Sequence, residues 1–172
     1  MQFKDNVVVV TGAASGMGLA TCRAFAAEGA LVYGIDISAD SQSGELAEIP
    51  NAHACPVDIA DPSKVGEVFE QIASTWGRVD VLVNAAGVNA PSREGNEALQ
   101  AENMKIFEAM KEGRRHHSEF FVFLSDDDFD RVLKINLYGP FYTMRSAVPL
   151  MKKAGGGAIV NFSSAAALQG IP

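Results

Sequence analysis

Val7-Val8-Val9-Val10-Thr11-Gly12-Ala13-Ala14-Ser15-Gly16-Met17-Gly18 is the stretch whose reading decides the fold. An unbroken β-branched run reads as a strand buried on both faces. The chain then enters a glycine-rich turn, and the alanine-rich residues from Leu19 to Glu28 read as a helix closed by Gly29. Strand, tight turn and helix N-terminus together form an anion site. Backbone N–H groups and the helix dipole point at the same spot, and glycine lets a phosphate approach the main chain. The pattern therefore points to a bound dinucleotide, with Gly12, Ser15, Gly16, Met17 and Gly18 around its pyrophosphate.

The next segment strengthens this reading. Ala30 to Ile35 is a second apolar run, and it ends at Asp36, followed by Ile37. An acidic residue ~20 residues beyond a glycine turn is placed to accept hydrogen bonds from the adenosine ribose hydroxyls. It would also repel a 2′-phosphate, and no Arg or Lys follows closely, so NAD is expected rather than NADP.

The spacing Thr11-Gly12-x-x-x-Gly16-x-Gly18 resembles that of the short-chain dehydrogenase/reductases, and further matches follow in order. Asp58-Ile59, closing a third strand, resembles the pair that meets the adenine. Asn84-Ala85-Ala86-Gly87, after strand Val79–Val83, is similar to the family's NAAG motif. Asn136, within Lys134-Ile135-Asn136-Leu137, resembles the catalytic-helix asparagine, and Ser163-Ser164 resembles the catalytic-serine segment. The resemblance implies Ile37, Asp58 and Ile59 on the adenosine side, Asn84, Ala85 and Gly87 by the nicotinamide-side ribose, and Asn136 and Ser164 as catalytic residues. It implies hydride transfer between NAD and a small secondary alcohol or ketone, in a homo-oligomer.

Alternating strand and helix calls for a parallel sheet with helices on both faces, a doubly wound, Rossmann-like α/β fold that stops after its fifth strand. Strands are expected near 6–11, 30–36, 52–58, 79–84 and 157–163, and helices near 16–28, 40–48, 62–76 and 126–153. Asp61-Pro62-Ser63 is a good helix start, with Asp as cap and Pro in the first position. Ser125 before Asp126, Asp127 and Asp128 starts the long helix in the same way, the acids complementing its dipole. Pro140 is expected to kink that helix near Asn136, freeing a carbonyl.

Composition agrees with one dinucleotide-binding domain over residues 1–172, incomplete at its C-terminus. The chain has 172 residues, 48% hydrophobic and 20% charged, which is enough to bury a sizeable core. A net charge of −7 argues against a nucleic-acid or anionic-membrane partner. Cys22 and Cys55 form no metal or disulfide pattern, and Cys22 reads as a core residue. Met1 leads directly into the first strand and no apolar stretch approaches ~18 residues, so a soluble cytoplasmic protein is expected.

Two departures from the family stand out. None of Tyr33, Tyr138 and Tyr142 has a lysine four residues later, so the family's Tyr-x-x-x-Lys pair does not occur between Met1 and Pro172. Without the tyrosine, proton transfer lacks its catalyst, worth typically ~10²–10⁴ in rate, and this chain alone is expected to show no more than trace activity. A silent nucleotide-binding or regulatory module that assembles with a partner is the alternative.

The second departure is an apparent insertion at 89–124. Glu97 to Lys111 resembles an amphipathic helix with Leu99, Met104, Ile106, Phe107 and Met110 as its apolar positions. The apolar run Phe120–Leu124 follows it. The insertion reads as a substrate mouth, a subunit contact, or a surface subdomain burying its own apolar face. His116 and His117 lack further ligands at metal-binding spacing, so no metal site is expected.

Overall fold

Val7–Thr11 forms β1, and it is the central strand of a five-stranded parallel sheet ordered β3-β2-β1-β4-β5. The structure, a computed structural model, describes residues 1–38, 44–89 and 92–164. Around β1 stand β2 (Leu31–Asp36), β3 (Ala52–Pro56), β4 (Val81–Asn84) and β5 (Ala158–Asn161). The helices are α1 (Gly16–Ala27), α2 (Pro62–Thr75), α3 (Arg93–Lys111), α4 (Phe120–Phe123), α5 (Asp126–Leu133) and α6 (Gly139–Lys153). Two compact units divide the chain. Met1–Gly87 with Ile135–Phe162 forms the first, and Val88–Lys134, joined by Ser163 and Ser164, forms the second.

Every residue of β1 is buried, as the valine run requires, because β2 and β4 pair with it on either side and helices cover both faces. Val8 and Val10 join Leu19 and Cys22 of α1 in one apolar cluster with Val32, Val81 and Val83. The alternate residues face the other way, where α2 contributes Val65, Val68, Phe69 and Ile72, and α6 contributes Ala147, Leu150 and Met151. Cys22 is a core residue, and burial pushes its thiol up to about 12 and that of Cys55 to about 11. Both cysteines are free.

At the base of the sheet, Asp80 ties three strands together. Its Oδ2 accepts from Val7 N at 2.8 Å, its carbonyl from Ala158 N at 2.9 Å, and its carboxylate pairs with the Arg78 guanidinium. Asp61 caps α2 by accepting from Ser63 N and Lys64 N, with Pro62 in the first turn, as its sequence predicts.

Two expected helices are corrected. Helix 40–48 lies partly outside the described residues, and its described part runs as turns. Ala47 N donates to Gly44 O and Ile49 N to Leu46 O, between Gly44 and Pro50. The long helix 126–153 is three segments, because π-helical turns over Lys134–Tyr138 separate α5 from α6. Pro140 has no N–H for the Asn136 carbonyl, so the regular i to i+4 ladder cannot continue there and the wider register takes over.

In the second unit the expected amphipathic helix is longer, Arg93–Lys111, and shelters only part of its apolar set, Leu99 and Ile106 being half-buried. Met104, Phe107 and Met110 are exposed, while Glu102 and Ala109 are buried. The Phe120–Leu124 run supplies the short α4, with Phe121 and Val122 exposed. Polar bonds organise this unit. Ser92 caps α3 by accepting from Gly95 N, and its own N and Oγ donate to Asp128 at 3.0 and 2.7 Å. Ser125 caps α5 as predicted, but Asp128 is more than a dipole-complementing acid, since it is buried and held below the usual carboxylate range chiefly by Ser92.

Glu102 accepts from Lys105 Nζ at 2.6 Å and Glu119 N at 3.3 Å, and its Oε2 lies 3.0 Å from His116 Nε2. Among the described residues no helix is long and apolar enough to cross a membrane, and no three His, Cys, Asp or Glu side chains group to hold a metal.

The bonds to Lys105 and His116 hold the Glu102 carboxyl down to about 2, against about 4.3 for an unfolded glutamate. A depressed folded-state pKa contributes stability that is present above the unfolded value and lost as pH falls toward the folded one. Urea midpoints should therefore fall between about pH 4.5 and pH 2, and Glu102→Gln should flatten that slope by close to one proton. An identical slope in the variant would assign the acid sensitivity to other carboxylates.

Candidate functional site

The carboxyl ends of all five parallel strands lie along one edge of the sheet, and the chain order reverses between β1 and β4. Open α/β sheets bind ligands at such a switch point. The glycine turn stands there. Gly12 has φ +70°, and a Cβ on it would lie 2.8 Å from Ala86 Cα. A Cβ on Gly18 would come within 2.0 Å of the Gly12 carbonyl oxygen. Thr11 is fully buried, and its Oγ1 accepts from Ala86 N at 3.2 Å. The turn after β1 and the turn after β4 are thus packed main chain to main chain.

The N-terminus of α1 differs from those of α2, α3 and α5. Asp61, Ser92 and Ser125 each cap their helix with a side-chain oxygen, whereas Ser15 makes no side-chain cap bond and no acid sits in the first turn of α1. The first intrahelical bond runs from Leu19 N to Ser15 O, so the amides of Gly16, Met17 and Gly18 have no intrahelical acceptor. A Cβ on Gly16, at φ +51°, would meet nothing within 4 Å, and Met17 is 63% exposed. The side of the turn toward Gly16 is open where the side toward Gly18 is closed. An anionic pyrophosphate fits such an end by charge and by room.

Asp36 closes β2 beside this turn. Its Oδ2 accepts from Ala14 N at 3.0 Å and its Oδ1 from Ser38 N at 2.9 Å. Those bonds aim the carboxylate while leaving lone pairs on both oxygens for ribose hydroxyls. Ile37 is exposed. Asp58 Oδ1 accepts from Ala60 N at 2.9 Å, and the buried Ile59 side chain packs on Gly139, where an added Cβ would lie 2.5 Å from Ile59 Cδ1.

The Asn84–Gly87 turn and Asn136 also belong to the first unit. A Cβ on Gly87 would lie 3.5 Å from Asn136 Oδ1, so the NAAG-like turn and the π-helical asparagine adjoin. Asn84 is buried, and its amide is engaged at both ends, by Thr143 Oγ1 at 2.7 Å and by Asn161 Oδ1 at 2.8 Å. Ser164 falls in the second unit. Thr143 and Asn161 escape a reading of the sequence. Their only signal is a polar residue on the core face of an otherwise apolar helix and another at the last position of a strand.

A doubly wound parallel sheet with a glycine turn at its switch point is the Rossmann-like class of fold. The family profile described as "short chain dehydrogenase" matches residues 6–172, and the chain belongs to that family. It is 34% identical over 169 residues to the short chain dehydrogenase andC of Emericella variicolor, covering 98% of this chain and 56% of the relative. To the 3-oxoacyl-[acyl-carrier-protein] reductase FabG of Thermotoga maritima it is 34% identical, covering 100% and 61%. The D-threitol dehydrogenase of Mycolicibacterium smegmatis is 36% identical, with 96% and 55% covered. The chain thus spans a little over half the length of these relatives.

Among solved structures, an NAD⁺-bound xylitol dehydrogenase superposes with a TM-score of 0.77 at 24% identity, covering 100% of this chain and 58% of that one. A short-chain dehydrogenase from Streptomyces avermitilis gives a TM-score of 0.67 at 26% identity, covering 94% and 50%.

The two faces of the glycine turn set opposite costs. Gly18→Ala should lower the unfolding free energy by about 2–3 kcal/mol, because its methyl has no room against the Gly12 carbonyl. Gly16→Ala should cost only about 1 kcal/mol, the strain of its left-handed backbone. Urea denaturation of both variants measures the difference, and the reverse order would show that close packing at Gly18 is not the constraint.

Proposed function

We propose that this chain binds NAD and is the cofactor-holding part of an oxidoreductase that moves a hydride between NAD and a small secondary alcohol or ketone. The observation that carries the reading is the α1 N-terminus, open and without a cap of its own, with Asp36 held beside it by Ala14 N. Names among the relatives support it, since they are dehydrogenases and reductases. Gly12, Ser15, Gly16, Met17 and Gly18 surround the pyrophosphate with main-chain donors, and Asp36 accepts from the adenosine ribose, next to Ile37. Asp58 and Ile59 border the adenine, Ile59 through its main chain because its side chain is packed on Gly139. Asn84, Ala85 and Gly87 border the nicotinamide-side ribose.

NAD, when bound, supplies the hydride acceptor or donor. The chain's part is to hold the reacting carbon's neighbours. Asn136 sits in the π-helical turns beside the Asn84–Gly87 turn, and it takes the catalytic-helix role. Ser164 takes the role of orienting the substrate oxygen by hydrogen bonding.

NAD should bind at least about tenfold more tightly than NADP, because the Asp36 carboxylate accepts from a 2′-hydroxyl and repels a 2′-phosphate. Calorimetric titration of both cofactors decides it, and Asp36→Ser should close the gap. Equal affinities in the native chain would remove Asp36 from the ribose site.

Self-association is part of the same reading. Leu137, Tyr138 and Phe141 are exposed on the π-turn and α6, as are Ile159 and Val160 on β5 and Phe162 just after it. Soluble monomers seldom leave contiguous apolar patches larger than a few hundred Å² in water. Light scattering over a dilution series should show the apparent mass falling from at least a dimer toward 18.2 kDa. A constant monomer mass at tens of micromolar (about 10–50 µM) would reject it.

A further inference from the structure

Asn84 is the first residue of the turn that borders Gly12 on one side and Asn136 on the other, and its side chain is buried. Its orientation depends on two bonds to residues far away in sequence. Thr143 Oγ1 donates to Asn84 Oδ1 at 2.7 Å, and Asn84 Nδ2 donates to Asn161 Oδ1 at 2.8 Å. Thr143 is fully buried on α6, and the same hydroxyl lies 3.0 Å from the Pro140 carbonyl. A hydroxyl carries one proton, so these two acceptors share it. Without that hydroxyl, Asn84 Oδ1 would stand in the interior without a donor, and the amide could relieve the loss only by turning, which breaks its bond to Asn161.

We propose that Thr143 is a positioning residue. Acting through the Asn84 amide, it holds the Asn84–Gly87 turn where that turn borders the nicotinamide-side half of the dinucleotide site. The inference rests on the NAD reading above. The turn's other anchors are consistent with it, since Ala86 N is bonded to Thr11 Oγ1 and Gly87 adjoins Asn136. Asp36 and its partners Ala14 and Ser38 make none of these contacts. Loss of the Thr143 hydroxyl is therefore felt by the nicotinamide half and not by the adenosine half.

Calorimetric titration of NADH and of AMP into the full chain separates the two halves. Thr143→Val should weaken NADH by about tenfold, the cost of one buried acceptor left unpaired, and leave AMP affinity within about twofold. Thr143→Ser, which keeps the hydroxyl, should restore NADH affinity. A merely structural role would weaken both ligands together, and that result overturns the proposal, as does a Val variant with unchanged NADH affinity. If Thr143→Val shows no thermal unfolding transition, Thr143→Ala against Thr143→Ser takes its place. A lower NADH-to-AMP affinity ratio in the Ala variant supports the proposal, and equal ratios overturn it. A native chain that binds neither AMP nor NADH would instead reject the NAD reading, and the proposal with it.

Discussion

Main chain meets main chain where β1 ends, and the rest of the first unit is arranged around that approach. Gly12 lies against Ala86 and the start of α1 lies against Gly12, with no space for a methyl group at either contact. The approach needs β1 and β4 as neighbours, which puts the switch in strand order at this point. It also brings the α1 N-terminus to the carboxyl edge of the sheet with its first amides facing outward. Apolar packing in this unit holds helices against β1, a strand that has no solvent-facing side.

The polar groups inside this unit are few and each is bonded. Asp80 at the amino edge secures β1, β4 and β5, and Asn84 at the carboxyl edge links β4 to α6 and β5. Buried polar groups are costly unless satisfied, so such groups set alignment more sharply than apolar contacts do. An apolar interface between α6 and β4 would tolerate sliding by a fraction of a turn, whereas the 2.7 Å bond from Thr143 to Asn84 does not.

The second unit is organised on another principle. Its buried residues include two carboxylates, Glu102 and Asp128, each surrounded by donors from neighbouring segments. Several of its large apolar side chains, among them Met104, Phe107, Met110 and Phe121, stay in water. The apolar spacing in α3 predicted a helix correctly, and of the positions it marked Leu99 and Ile106 are half-buried beside Glu102 and Ala109 while Met104, Phe107 and Met110 are exposed. The Lys105 and His116 partners of Glu102 make burial of that acid favourable, and periodicity alone carries no information about partners.

The sequence by itself determined the strands, the glycine turn, the helix caps at Asp61 and Ser125, and the break near Asn136; the Ser92 cap of α3 emerged only in the structure. These are local matters: β-branched runs, missing Cβ atoms, a missing proline N–H and a capping oxygen act within a few residues. It also marked Asp36, because the end of a strand is read from the strand. Only the tertiary structure decided that Asp36 is aimed by Ala14 N, that Ala86 closes on Gly12, and that Thr143 and Asn161 hold Asn84 from 59 and 77 residues away. Spacing along a chain sets which face a side chain takes, but partners at such separations are chosen by strand order and by which helix covers which face.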